Sequence, residues 1–562
     1  MADPDRMIRW WLILPGLIAA TALLHLVLIQ PNHPEAMTWQ ALLLFPLELP
    51  VILFALLALP GRARLFRVVL VVILTTVAVL KVADYASFTA YGRSFNPATD
   101  LGLIDASWQL GSGAIGVPLA VLAVIVAFLT ILLIATLLWW ATGRWARLQP
   151  PAPLVPLWRG GFAGLAVLSA AVMVGQIGES KGKWQMPVDP PGAAFTARLA
   201  YDRAVLTRDT LQELVAFTRA AQSDPFDGVT PLLDYIGGRD VLMIFVESYG
   251  RASFDNDLYA PTHVATLQAA ESALADDPDI AMRSGWLTAP MIGGQSWLAH
   301  SSIASGLWIS NQTRYRTLLA SPRKTLFDLA REAGYHTATV VPAIVQDWPE
   351  GVRLGFETIL AAADLGYEGL PFNWVTMPDQ FTLSAYDRLL AQSRPDDRPL
   401  FTEIALISSH APWVPVPEMI DWADVGDGTV FNEVAQSDDP PDVVWRDRDR
   451  VRDQYRQAID YALQAATGYT LRQTDDMPLV IILGDHQSAN FVSGSDSFDV
   501  PIHVIGPREV VARIDGWGWT PGLVPDGDVA PWTMDLFRDR FLKAFSSGAP
   551  DALPKPPVRL TP

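Results

Sequence analysis

Two apolar runs in this chain end in side chains able to bind a cation. VLMIFVES (241–248) closes on Glu247-Ser248, and PLVIILGDH (478–486) closes on Asp485-His486. Two carboxylates and an imidazole make a mixed oxygen and nitrogen set suited to Zn²⁺ or Mn²⁺, and three ligands leave a coordination position open for chemistry. A third segment, GGQSWLAHSSIASG (293–306), opens on a glycine pair and continues with helical spacing, which places Ser296 near a helix N-terminus. Free backbone N–H groups and the helix dipole favour an anion there. A serine hydroxyl is a poor nucleophile at its ordinary pKa, whereas beside a divalent cation it becomes competent near neutral pH. On spacing alone, Ser296 is equally well read as a cap of that helix.

These side chains need a sheet that brings strand ends together. From residue 240 onward, short apolar runs alternate with helical stretches, the pattern of an α/β domain. Strands are expected at 241–248, 337–343, 400–409, 478–486 and 501–506, and helices around 262–275, 296–306, 323–334, 380–392 and 447–468. Ligands of such sheets bind at the C-terminal ends of strands, where Glu247 and Asp485-His486 fall. Residues 421–446, rich in Asp and Pro, read as an excursion loop, and TARLAYDRAVLTRDTLQELVAFTRAAQ (196–222) reads as an amphipathic helix.

The chain has 562 residues, half of them hydrophobic, no Cys and a net charge of −18. Absence of Cys excludes disulfides, thiolate metal sites and a cysteine nucleophile, and the acidic balance argues against nucleic-acid binding. The charge is uneven, because residues 1–180 hold 10 Lys+Arg and 8 Asp+Glu against 31 and 51 in the remainder. Five apolar stretches long enough to cross a hydrocarbon core of about 30 Å lie in that first part, at about 8–29, 38–59, 67–85, 113–142 and 159–178. Arg62, Arg64 and Arg67 flank one connection and Arg144, Arg147 and Arg159 another, so the positive-inside rule puts the N-terminus in the cytoplasm and everything after residue 180 outside it. Lys81 and Asp84, one turn apart, read as an interfacial ion pair. Glu48, between Pro46 and Pro50, sits where a broken helix opens its carbonyls, a place suited to lipid handling. The expected organisation is a transmembrane domain (1–180), a linker with an amphipathic helix (181–238) and an extracytoplasmic catalytic domain (239–562).

The order Ile244-Phe245-Val246-Glu247-Ser248, Gly294-Gln295-Ser296, Ser409-His410-Ala411-Pro412-Trp413 and Gly484-Asp485-His486 resembles the alkaline-phosphatase superfamily. Within it the chain is most similar to the membrane-anchored sulfatase-like branch of lipoteichoic acid synthase and the phosphoethanolamine transferases. Thr325-Leu326, Glu332-Ala333-Gly334-Tyr335-His336 and Val500-Pro501-Ile502-His503 agree with that resemblance. It implies five membrane helices followed by an α/β/α sandwich with a mostly parallel central sheet. It further implies one divalent metal, Mn²⁺ or Zn²⁺, on Glu247, Ser296, Asp485 and His486, with Ser296 as nucleophile and His410 at the substrate phosphate or leaving group. Many relatives carry Thr after Gly-Lys where this chain has Gln295-Ser296. Trp348 and Arg353 occupy the stretch that holds a head group in phosphoglycerol-transferring relatives, although their spacing is wider. Ser296-Trp297-Leu298-Ala299-His300 lacks the Pro and Arg of a formylglycine motif, so the chemistry implied is phosphoryl rather than sulfuryl transfer.

His300, one turn after Ser296, is read as a substrate or packing residue, and His503 as a strand residue, with a second metal or a substrate contact as the alternative. The function expected is a metal-dependent phosphotransferase of the cytoplasmic (inner) membrane. It would move a phospholipid head-group phosphate, of phosphoglycerol or phosphoethanolamine type, to a periplasmic or extracellular glycan or lipid. A hydrolase on the same site, with water as acceptor, and a non-catalytic scaffold or sensor are the alternatives. Five helices without an inverted repeat are too few for the usual transporter architecture.

Overall fold

Alternation of side chains along fully buried strands builds the centre of the larger part of the molecule. In β1 (Val241–Val246), Leu242, Ile244 and Val246 face one core while Val241, Met243 and Phe245 face the other. β6 (Leu479–Gly484) divides in the same way, with Val480 and Ile482 opposed to Leu479, Ile481 and Leu483. Strands buried on both faces read as continuous apolar runs, which is why both were legible. The computed structural model in which these elements are seen describes residues 4–553 except 60–62, 92, 105–107, 109–111, 113–115, 149–151, 438 and 474–476. Arg62 and residues 113–115 of the expected fourth span thus lie outside the described residues. The chain forms two compact units, Met1–Gln212 and Glu213–Pro562.

In the second unit the other strands are β2 (Ile280–Thr288), β3 (His336–Val341), β4 (Thr358–Ala361), β5 (Leu400–Leu406), β7 (Asp499–Pro507), β8 (Thr520–Pro521) and β9 (Trp532–Thr533). Their order is β4-β3-β5-β1-β6-β7-β2-β8, with β9 on β2. Strands β4, β3, β5, β1 and β6 are parallel, but β7 is antiparallel to β6 and to β2. The sheet is therefore mixed, which corrects the mostly parallel expectation. β2 escaped the sequence reading because Arg283-Ser284-Gly285 interrupts its apolar run, and β4, β8 and β9 are too short for a pattern.

One core includes residues of the helices Ala260–Ala275, Asp379–Tyr386 and Arg448–Leu471. The other includes residues of Ser296–Ser305, Leu326–Glu332 and Phe537–Phe545. The sheet is thus the middle of three layers. The helix Leu326–Glu332 starts on a capping box, in which Thr325 accepts from the Asp328 N–H and Asp328 accepts from the Thr325 N–H.

In the first unit α1 (Pro4–Ile29), α2 (Glu48–Ala58), α3 (Ala63–Tyr91), α4 (Val117–Ala146) and α5 (Val155–Ser180) are apolar, and α6 (Phe195–Ala221) follows them, the unit boundary falling within it. Among the described residues three helices, not five, are long and apolar enough to cross a membrane: Arg64–Thr89, Val117–Ala146 and Val155–Ser180. The expected span at 38–59 fails for a local reason. Pro46 has no N–H to continue the 3₁₀ turn Trp39–Leu43, so α2 starts at Glu48 and has only 11 residues, about 16 Å of helix. Within α1 the stretch Ile13–Ile29 is also apolar.

Lys81 and Asp84 are not partners of each other, contrary to expectation. Lys81 donates to the Leu28 carbonyl (2.8 Å) and to Thr196 Oγ1 (2.9 Å), while Arg203 donates twice to Asp84, at 2.6 and 2.7 Å. Glu48 accepts from the Ala197 N–H (2.8 Å), in the first turn of α6, so its carboxylate satisfies a helix N-terminus.

A close approach fixes Gly484. Any Cβ there would run into the Tyr249 carbonyl oxygen on the segment after β1. Gly484→Ala is therefore expected to cost about 1–3 kcal/mol and to weaken divalent-cation retention by displacing Asp485-His486. Chemical unfolding and metal analysis of the purified variant check both.

Candidate metal centre and its cavity

Parallel pairing of β1 with β6 sets Val246 against Gly484, so the next residues, Glu247 and Asp485-His486, leave the sheet side by side. One ligand atom from each of these three lies within 4.8 Å of the others, and all three residues are buried. His486 Nε2 is 3.1 Å from Glu247 Oε1 and 3.9 Å from Asp485 Oδ2. The backbone occupies the outward atoms. Asp485 Oδ1 accepts from the Ser248 N–H (2.8 Å) and the His486 N–H (2.6 Å), and His486 Nδ1 lies 3.0 Å from the Gln487 carbonyl. A carbonyl can only accept, so that contact puts a proton on Nδ1 and turns Nε2 towards the two carboxylates.

Ser296 joins this group from the other segment. It is the first residue of the helix Ser296–Ser305, here α7, and its Oγ donates to Glu247 Oε2 at 2.9 Å and lies 3.3 Å from His486 Nε2. The preceding residue, Gln295, takes the N-cap position without a side-chain cap, so Ser296 does not serve as one. Gln295 has φ 66°, Ser248 φ 60° and Trp413 φ 60°. These left-handed conformations in non-glycine residues adjoin Ser296, Glu247 and the His410 turn, which is where backbone strain is commonly held.

His410 arrives on the turn after β5. Asp379 holds that turn by accepting from the Ile407 and Ser408 N–H groups (2.7 and 2.9 Å), and Ser409 Oγ donates to the Glu247 carbonyl (2.6 Å). Burial pushes the Asp379 carboxyl up to about 6. The His410 ring stacks on Trp374 with centroids 4.0 Å apart, and its Nδ1 is 2.5 Å from the Ala411 carbonyl.

Glu247, Ser296, His300, Trp348, His410 and Asp485 line one cavity of about 360 Å³. His300 faces it with Nδ1 2.9 Å from Glu403 Oε1 and its ring stacked on Phe245. Burial opposes charge on His300, but Glu403, together with Asp485 and Glu247, outweighs it and holds the imidazole pKa above its ordinary value. Two expected residues do not reach the cavity. Arg353 ends the short helix Glu350–Arg353 and turns to carbonyls at the end of another helix, those of Leu319 and Ser321. His503 lies inside β7, with Nδ1 2.8 Å from Ser284 Oγ and Nε2 3.2 Å from the Tyr249 hydroxyl, and burial lowers its pKa to about 3. Glu403 and Asp379 are the residues that sequence reasoning missed. A lone carboxylate inside LFTEIAL was the available signal for Glu403.

The donor set fits a divalent cation, whose charge balances two carboxylates beside a neutral imidazole. In the cation-free protein, burial raises the Glu247 carboxyl, but the neighbouring His486 imidazolium brings it well below the usual range. Burial and the Glu247 charge push Asp485 up to about 7, whereas Asp485 and Glu247 overcome burial to lift His486 to about 9. Protons thus occupy the place a cation would take and must leave on binding. Affinity for Mn²⁺ or Zn²⁺ is expected to rise as pH climbs through 7 towards 9, by up to about tenfold per pH unit for each proton released. Indicator competition at a series of pH values measures this, and a flat profile would refute it. Asp485→Asn should abolish tight binding in the same assay.

No family model matches the chain, and no curated protein does. Solved structures do. A lipoteichoic acid synthase from Listeria monocytogenes is 14% identical over 56% of this chain and 74% of its own, with a TM-score of 0.36. A protein in the alkaline phosphatase superfamily from Vibrio parahaemolyticus is 17% identical over 60% and 75%, TM-score 0.36. The C-terminal periplasmic domain of a phosphoethanolamine transferase from Campylobacter jejuni is 11% identical over 56% and 92%, TM-score 0.36. The chain is similar at low identity to the group its motifs resemble.

Proposed function

We propose that this chain is a membrane-anchored, metal-dependent phosphotransferase. It takes the head-group phosphate of a phospholipid, of phosphoglycerol or phosphoethanolamine type, and passes it to an extracytoplasmic glycan or lipid through a phosphoserine at Ser296. The observation that carries the reading is the placement of Ser296 Oγ, at a helix N-terminus, 2.9 Å from Glu247 Oε2 and 3.3 Å from His486 Nε2 at the edge of a cavity. The motif order given above supports the same chemistry.

Glu247, Asp485 and His486 would hold Mn²⁺ or Zn²⁺, which supplies a lowered hydroxyl pKa and charge to offset the phosphate oxygens. The chain's own groups do the rest. Ser296 Oγ, its proton directed at Glu247, attacks phosphorus while the bond to the lipid oxygen breaks, and the N–H groups that open α7 face the phosphate. His410 gives a proton to the departing lipid oxygen. In the second half His410 takes the proton of the acceptor hydroxyl, which attacks phosphorus as the bond to Ser296 Oγ breaks, and Ser296 recovers from Glu247 the proton it gave up in the first half. A lipid donor explains a long apolar anchor, because enzyme and donor then share one surface. With Arg64, Arg67, Arg144 and Arg147 at the cytoplasmic face, the catalytic unit lies outside it.

Incubation of the full-length protein with membrane phospholipid and Mn²⁺ or Zn²⁺ is expected to add a head-group phosphate to Ser296, read by intact mass and peptide mapping. Ser296→Ala should show no adduct and lose turnover by at least about 10³-fold. Lipid consumed without an adduct would favour rapid hydrolysis by water, and bound metal with neither adduct nor consumption would favour a scaffold. His410→Gln should lower turnover by about 10²-fold and leave metal content unchanged.

A further inference from the structure

The transfer chemistry uses only the polar corner of the cavity. The remainder passes between α7 and the sheet, and Phe245, Ala304, Phe327, Leu354, Phe356 and Ala405 form its walls. Its total volume of about 360 Å³ lies at the lower end of sites that enclose small molecules. The polar atoms in these walls are largely turned on one another: His300 on Glu403, and the Trp348 indole on Tyr315. Ser301 Oγ is buried without a partner and offers one donor. A glycerol or an ethanolamine placed here would give up water at several polar groups and meet few replacements. A hydrocarbon gives up nothing of that kind, and the single Ser301 donor suits one ester carbonyl. At the mouth Trp297 and Trp374, 39% and 52% exposed, carry the apolar surface outward.

We infer that this chamber receives the hydrocarbon arm of the donor, so that the substrate is an amphiphilic phosphoester drawn into the site with its phosphate at Ser296 and its chain between α7 and β5. The assignment rests on the reading of Ser296 as the phosphoryl acceptor. It differs from a site in which only a polar head group enters and the lipid body stays in the membrane. Ala405 lies in the cavity wall within β5, and Ala343 lines the cavity after β3. Larger side chains at either position would shorten the space open to a chain.

The test is calorimetric binding of methyl-, butyl-, hexyl- and octylphosphonate, and of sn-glycerol phosphate, to the metal-loaded full-length protein in phosphatidylcholine nanodiscs. Affinity is expected to rise roughly three- to fourfold per added methylene until the chamber is full. Ala405→Leu and Ala343→Phe should move that plateau to a shorter chain, with metal content confirming that each variant is folded. A flat series, a series that neither variant alters, or sn-glycerol phosphate binding more tightly than butylphosphonate would each overturn the chamber assignment. A Ser296 adduct formed alongside any of those results would leave the transfer reading intact. Chain-dependent binding that both variants shorten, without any adduct, would uphold the chamber and sink the transfer reading.

Discussion

Two carboxylates held out of water within a few ångströms of each other are the constraint around which the catalytic unit is organised. Glu247 and Asp485 become neighbours because β1 and β6 run parallel in one register, with Val246 opposite Gly484. Their mutual repulsion must be offset by hydrogen bonds, protons or a cation. The backbone supplies the first through the Ser248 and His486 N–H groups on Asp485 Oδ1. His486 supplies a proton when no cation is present. The left-handed turn at Ser248, the close passage at Gly484 and the anchoring of the His410 turn by Asp379 all maintain this arrangement.

Much of that centre was legible in the sequence because its parts are local. Glu247, Asp485 and His486 close apolar runs, and a residue at the end of a buried strand can point only beyond the sheet. Ser296 was legible as the start of a helix after a glycine pair. Direction was not legible elsewhere. Trp348 and Arg353 are close in sequence, yet one lines the cavity and the other turns to the Leu319 and Ser321 carbonyls. His503, read as a strand residue or a site contact, is the strand residue, paired with Ser284 and Tyr249. Glu403 was hidden for the opposite reason. A strand buried on both faces has no polar side, so its alternation cannot say which face a lone carboxylate meets.

Among the apolar helices, composition proved a weaker guide than backbone chemistry. Residues 38–59 are apolar throughout enough of their length to span, but Pro46 interrupts the helix before Glu48, whose carboxylate satisfies the start of another. The polar residues of this unit are likewise committed to distant partners rather than to sequence neighbours. Lys81 binds the end of α1 and Thr196, and both oxygens of Asp84 accept from Arg203 Nη2.

That last pairing has a bearing on how the chain is made. Asp84 belongs to a helix synthesised early, and Arg203 leaves the ribosome only after every apolar helix has been completed. Until Arg203 arrives, a buried acid in the bundle lacks its guanidinium partner, an arrangement costly in a low-dielectric setting. A chain truncated anywhere between the two would carry an uncompensated charge. The buried ion pair that ties α3 to α6 therefore closes only after the whole bundle has been made.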